Sequence, residues 1–212
     1  MSPFVCILLL LFTTCNGQSF TTKTISESTT IQGVDNTITI TLRPSIAILV
    51  GDILTINGLT SSQTSDTTGL TIAGGDAAKV SSTGVWTQSD GKLVLTVATE
   101  IPDSADAVFT FVLRNSASAE TAVTPTIRAR EGDDVAVRIA SSALSASVLG
   151  AGTAQTYTTK TLAQSSIQQN SLNVITITLQ PNVAMSDGDI ITITGLTGTQ
   201  TATTATLTVG GT

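Results

Sequence analysis

Any chemistry in this chain has to come from carboxylates, guanidiniums, hydroxyls and one indole. Histidine is absent, and the only two cysteines, Cys6 and Cys15, both fall in the first 17 residues. The commonest general base, the thiol nucleophile and the usual zinc ligands are therefore missing from the rest of the chain. Serine and threonine are plentiful, but none occupies a Gly-x-Ser-x-Gly elbow. Residues 84–92 (GVWTQSDGK) have the look of a phosphate loop. Their spacing is wrong for one, and Leu93 stands where a hydroxyl is required, so an Asp-Gly turn explains them better.

The acidic groups offer calcium ligands at most. Glu131, Asp133 and Asp134 cluster in one turn, and Asp187 and Asp189 flank Gly188. Calcium takes six to eight oxygens, and neither cluster has the ligand spacing of an EF-hand loop. Val50 replaces Asp187 in the matching stretch of the first copy described below, so that pair is not repeated. Both clusters read as solvated turns. Trp86, the only tryptophan, could stack on a sugar but reads as core or rim packing beside Val85. Arg128 and Arg130 share one face of a strand, where solvent is the expected partner rather than an anion. No residue is assigned to catalysis, to a cofactor or to a metal, and no cofactor is expected. The chain reads as not an enzyme.

The elements that carry these residues are organised by a repeat. Residues 36–60 (NTITITLRPSIAILVGDILTINGLT) return as residues 173–197 (NVITITLQPNVAMSDGDIITITGLT). Pro44 and Pro181, Gly51 and Gly188, and Gly58 and Gly195 share one offset of 137, which holds without a gap from Thr21/Thr158 to Gly74/Gly211. A fixed long period marks a tandem array with one folded unit per period. Within it, Ile38, Ile40 and Leu42 alternate with Thr37, Thr39 and Thr41, the period-2 pattern of a half-buried strand. Threonine suits the outer face because its branched β-carbon favours extended backbone while its hydroxyl stays wet.

Further strands are expected at 20–26, 53–56, 70–73, 85–88, 93–97, 108–114, 124–130 and 135–140, with residues 61–68 as a Ser/Thr loop. Phe109, Phe111 and Leu113 fall on one face and should be core. No segment sustains a helical apolar period with caps. About nine turn-separated strands without intervening helices predict an antiparallel β-sandwich. A β-solenoid would need a much shorter period.

The opening MSPFVCILLLLFTTCNG has an apolar core at residues 4–12, too short to span a membrane and suited to a signal peptide cut before Gln18. A lipoprotein anchor at Cys15 is the competing reading. Removal of residues 1–17 leaves a chain without cysteine, hence without disulfides, that must rely on burial. Net charge is −6 with few charges of either sign, which argues against nucleic acid as a partner. No later apolar run is long enough for a membrane span.

The runs ITITLRPSIAILVGDILTINGLT, FTFVLRN and TPTIRARE resemble the tandem immunoglobulin-like repeats of large secreted or cell-surface, adhesin-like proteins. The resemblance lies in structural motifs and carries no catalytic residue. The Cys…Trp…Cys core of antibody domains is absent. It implies an all-β chain of antiparallel immunoglobulin-like sandwich modules. The expected layout is a signal peptide at 1–17, repeat 1 at 18–147, a small-residue linker at 148–154 and the first half of repeat 2 at 155–212.

The expected function is a non-enzymatic extracellular structural or adhesive repeat, a spacer or a component of a surface coat or extracellular matrix. Its partners would be neighbouring repeats, other copies of the same protein, and cell-surface glycans or proteins. The alternative is a ligand-binding surface protein that holds glycan or ice on its Thr-rich sheet faces. In the second copy, Ile175, Ile177, Leu179, Ile191 and Ile193 should lie exposed, because 155–212 has no counterpart of Trp86, Phe109 or Ile127 to cover them.

Overall fold

A computed structural model describes residues 17–132, 136–185 and 187–210. The expected signal peptide at 1–17 (save Gly17), Asp133, Asp134 and Thr212 thus lie outside the described residues. The chain forms two units, residues 1–155 and 156–212. All named strands pair antiparallel, and the only helix among the described residues is one turn of 3-10 helix at Ala77–Lys79. The protein is all-β.

In the first unit the strands are β1 (Phe20–Glu27), β2 (Asp35–Pro44), β3 (Ile53–Asn57), β4 (Thr67–Thr71), β5 (Thr83–Thr87), β6 (Lys92–Thr96), β7 (Ala107–Arg114), β8 (Thr126–Arg130) and β9 (Val137–Ala143). They form a three-stranded sheet, β1-β2-β7, and a six-stranded sheet, β4-β5-β6-β3-β8-β9. The chain changes sheet after β2, after β6 and again after β7. Alternation sets the layers. Ile38, Ile40, Leu42, Phe109, Phe111 and Leu113 point inward from one sheet. Leu54, Ile56, Leu93, Leu95, Ile127 and Trp86 point inward from the other, and all twelve belong to one buried cluster. Two sheets that each bury one apolar face against the other make a sandwich.

The Asp-Gly turn forms as expected. Residues 88–91 turn β5 into β6, with the Gly91 amide donating to the Gln88 carbonyl at 3.0 Å. Gly91 has φ +56° and packs so close to Leu59 that an added Cβ would sit 2.3 Å from its carbonyl carbon. Only glycine fits both demands.

The expected linker is corrected. Strand β9 continues through Ser141 to Ala143, and Leu144, Val148, Leu149 and Ala151 are buried. Val148 bridges to Val123, and Thr153 bridges to Ile31. Residues 148–154 thus pack against the first unit, and the division falls between residues 155 and 156. Small side chains here serve close backbone approach: a Cβ on Gly150 would lie 2.9 Å from that of Ala122.

The second unit contains β10 (Tyr157–Gln164) and β11 (Ile175–Pro181). Their register repeats that of β1 and β2 pair for pair, from Phe20↔Pro44 and Tyr157↔Pro181 to Glu27↔Ile38 and Gln164↔Ile175. Even the irregularity after the first pair recurs, between Phe20 and Thr22 and between Tyr157 and Thr159. The counterparts of β3 and β4, residues 190–194 and 204–208, are not strands. In the first unit β3 is held between β6 and β8, and β4 is held on β5. A strand needs a ladder partner, and among the described residues of the second unit only β10 and β11 have one.

Candidate interaction surfaces

Of the residues singled out for chemistry, Trp86 and Glu131 are engaged by the first unit. Glu131 lies 3.7 Å from Arg138, and Arg138 also pairs with Asp52. Asp52 is 4% exposed and accepts the Leu49 amide at 2.8 Å. This buried pair ties the turn before β3 to strand β9. Asp189, the counterpart of Asp52, and Asp187 are exposed in the second unit. Among the described residues, no group of three or more His, Cys, Asp or Glu side chains is placed to hold a metal ion. Trp86 is buried, and its indole N–H donates to the Thr64 carbonyl at 2.8 Å, so its ring is not a stacking platform.

Arg128 and Arg130 do share the outer face of β8. Arg128 lines a depression of about 190 Å³ with Thr55, Asn57, Lys92, Thr126 and Ser141. Lys92 there stands 3.6 Å from Asp90. Both arginines are half-buried, with the Nε of each sealed from solvent.

The outer face of the three-stranded sheet carries many hydroxyls beside Val108 and Val112. Strand register places Ser26, Thr39 and Thr110 in one cross-strand row, and Thr24, Thr41 and Val108 in the next. The second unit repeats part of this arrangement with Thr161 opposite Thr178. Thr24 and Ser26 are exposed in these rows, and Thr39, Thr41 and Thr110 are half-buried.

At one end of the same sheet lies a buried polar cluster. Asn36 and Asn115 are both fully buried. The Asn36 side-chain amide donates to Glu27 Oε2 and to Asn115 Oδ1, each at 2.8 Å. Its own oxygen accepts the Ser28 and Thr29 amides at 3.0 and 3.3 Å. Asn115 donates in turn to the Thr29 and Ile31 carbonyls, at 3.2 and 2.9 Å. Glu27 Oε2 also accepts the amide of Leu149, a non-glycine residue at φ +62°. Such a backbone persists where its surroundings hold it. The available signal was the repeat itself, which pairs Glu27 with Gln164 and Asn36 with Asn173 at the common offset.

The second unit shows the same cluster half made. Asn173 donates to Gln164 Oε1 at 3.1 Å and accepts the Ser166 amide at 3.1 Å, but it is exposed. Among the described residues of this unit, none takes the place of Asn115. The apolar face beside it is open as well. Ile175, Ile191 and Ile193 are 38%, 46% and 49% exposed, and Ile177 and Leu179 are half-buried. Their counterparts in the first unit, Ile38, Leu54, Ile56, Ile40 and Leu42, are all fully buried. A groove of about 320 Å³ runs over this face, lined by Tyr157, Leu162, Ile177, Leu179 and Ile193 among others.

No helix among the described residues is long and apolar enough to cross a membrane. Compared with known proteins, the chain matches no protein-family model, and it matches no curated protein sequence.

Proposed function

We propose that this chain is a non-enzymatic extracellular structural or adhesive protein built from tandem immunoglobulin-like sandwich repeats, acting as a spacer or surface-coat component. One observation carries the reading. The β10–β11 hairpin reproduces the β1–β2 hairpin in register and irregularity at an offset of 137 residues. A unit copied so closely, with Trp86 buried in its core and Glu131 paired to Arg138, favours a building element over a catalytic one. Its partners on this reading are neighbouring repeats and other copies of the protein, together with cell-surface glycans or proteins.

Residues 1–17 act as the signal peptide that delivers it outside the cell. Antibodies raised against residues 18–155 should label the surface or matrix of intact, unpermeabilised source cells, and intact mass should place the mature start at Gln18. Label confined to permeabilised cells overturns the extracellular reading.

The aligned Ser26-Thr39-Thr110 row favours a second reading, a glycan- or ice-binding face on the outer side of the three-stranded sheet. Flat, regular hydroxyl arrays suit ice, whereas sheet twist works against flatness. Thermal hysteresis above that of an equal mass of albumin supports it, and its absence leaves ice out.

A further inference from the structure

We propose that the free edge of β11, with the apolar groove beside it, is a docking site for a strand of β7 type supplied by a further module of this repeat. This occupant is an extended segment with large apolar side chains at alternate positions and an asparagine just past its end. The inference rests on the tandem-repeat reading above.

The first unit shows what covers such an edge. Along β2, eight consecutive residues pair with β7, from Asp35↔Arg114 to Leu42↔Ala107. That pairing sets Phe111 opposite Ile38 and Phe109 opposite Ile40. The chain then places Asn115 against Asn36. Among the described residues, β11 pairs with β10 alone, although its register on β10 is that of β2 on β1. The inner positions Ile175, Ile177 and Leu179 match Ile38, Ile40 and Leu42 in residue type at the same offset. Asn173 already makes the Gln164 and Ser166 bonds that mirror those of Asn36 to Glu27 and Thr29. An unpaired edge beside an apolar face is the standard setting for strand addition.

The same comparison says how the occupant differs from β7 itself. In the first unit, Arg114 faces Asp35 at 3.6 Å and Asp106 takes the Arg43 guanidinium at 2.9 Å. In the second copy the positions of Asp35 and Arg43 hold Leu172 and Gln180. Leu172 is almost fully exposed, so the fitting strand carries an apolar residue where β7 has Arg114. It also needs no acid at the position of Asp106.

The test uses the full chain and fluorescent peptides of residues 105–116 (ADAVFTFVLRNS). The parent peptide should bind saturably by anisotropy, and hydrogen exchange should slow at the amides of β11 and not at those of β2. An Arg114→Val peptide should bind roughly two- to fivefold tighter, the scale of a good cross-strand pair. An Asn115→Ala peptide should bind roughly fivefold weaker, the scale of one hydrogen bond. A Phe109→Ser/Phe111→Ser peptide, or the chain carrying Ile177→Asp, should lose binding. Absence of binding, protection falling on the first unit, or indifference to the two phenylalanines overturns the proposal. So does self-association of the chain that protects β11 without peptide, since the occupant is then another β11. None of these outcomes alters the cellular labelling test of the extracellular reading.

Discussion

Replacing Asn36 by alanine should cost the first unit about 2–4 kcal/mol, because it strands a small set of identifiable groups. Glu27 Oε2 keeps the Leu149 amide, and the Ser28 amide keeps the Thr37 carbonyl at 3.1 Å. Two groups lose their partners: Asn115 Oδ1, inside a fully buried residue, and the half-buried Thr29 amide. A buried orphan costs about 1–3 kcal/mol, and the more accessible Thr29 belongs at the low end of that range. Trp86 is the only tryptophan and is buried in this unit, so its fluorescence during urea titration reports this unit alone. The midpoint should fall with the slope unchanged. Asn173→Ala is the internal control, with matching local bonds in an exposed setting. Water replaces those bonds, so exchange protection along β10–β11 should change by less than about twofold, within the usual range for a surface substitution. A loss below about 0.5 kcal/mol for Asn36→Ala would refute the idea that the cluster is sealed from water.

Phe109→Ala should cost about 3–5 kcal/mol, since the ring is fully buried between the sheets; a loss within about 0.5 kcal/mol in the same titration contradicts that placement. Gly91→Ala should cost about 2–4 kcal/mol, combining a left-handed backbone with a clash against the Leu59 main chain. Equal stability there would mean that residues 88–91 adopt another turn. Millimolar calcium should move the melting temperature by no more than about 1 °C, because Glu131 is engaged by Arg138 and no metal-binding cluster occurs among the described residues. A rise of several degrees, seen by scanning calorimetry, restores the acidic turn as a site.

The strands that were legible are those whose alternation is strong. Residues 37–42 and 108–114 carry isoleucines, phenylalanines and leucines at every second position, and they became β2 and β7. The Asp-Gly signal located the β5–β6 turn for the same local reason. The expected strand at 70–73 is instead β4 at Thr67–Thr71, a short edge strand paired through Gly84 with an irregular register. Periodicity says little about such a strand, because its position depends on what its neighbour offers. Residues 148–154 suggest a linker by their glycines and alanines, while Val148 and Leu149, which belong to the core, recur at no regular spacing. Their burial is decided by distant partners such as Val123 and Glu27. The Asn36–Asn115 contact joins residues 79 apart, and composition has no means of pairing them.

The ion pairs flanking β7 bear on how such a chain folds without confusing its copies. Strand β7 lies in sequence between two near-identical acceptors, β2 before it and β11 after it. During synthesis β2 emerges first and meets β7 about 65 residues later, a delay of roughly 3–13 s at ordinary elongation rates. β11 begins about 61 residues after β7 ends, so on the ribosome β2 is the acceptor made first. A denatured chain that refolds all at once has no such order, and both acceptors bid for the same strand. The surface pairs Arg114–Asp35 and Arg43–Asp106 add little stability, yet β11 can form neither of them, with Leu172 and Gln180 in place. They act as an address, worth a modest bias at low ionic strength and less as salt screens them. Refolding yield should accordingly fall with added salt even where the folded state is indifferent to it, because salt screens the charges that mark β2 and β7 for each other.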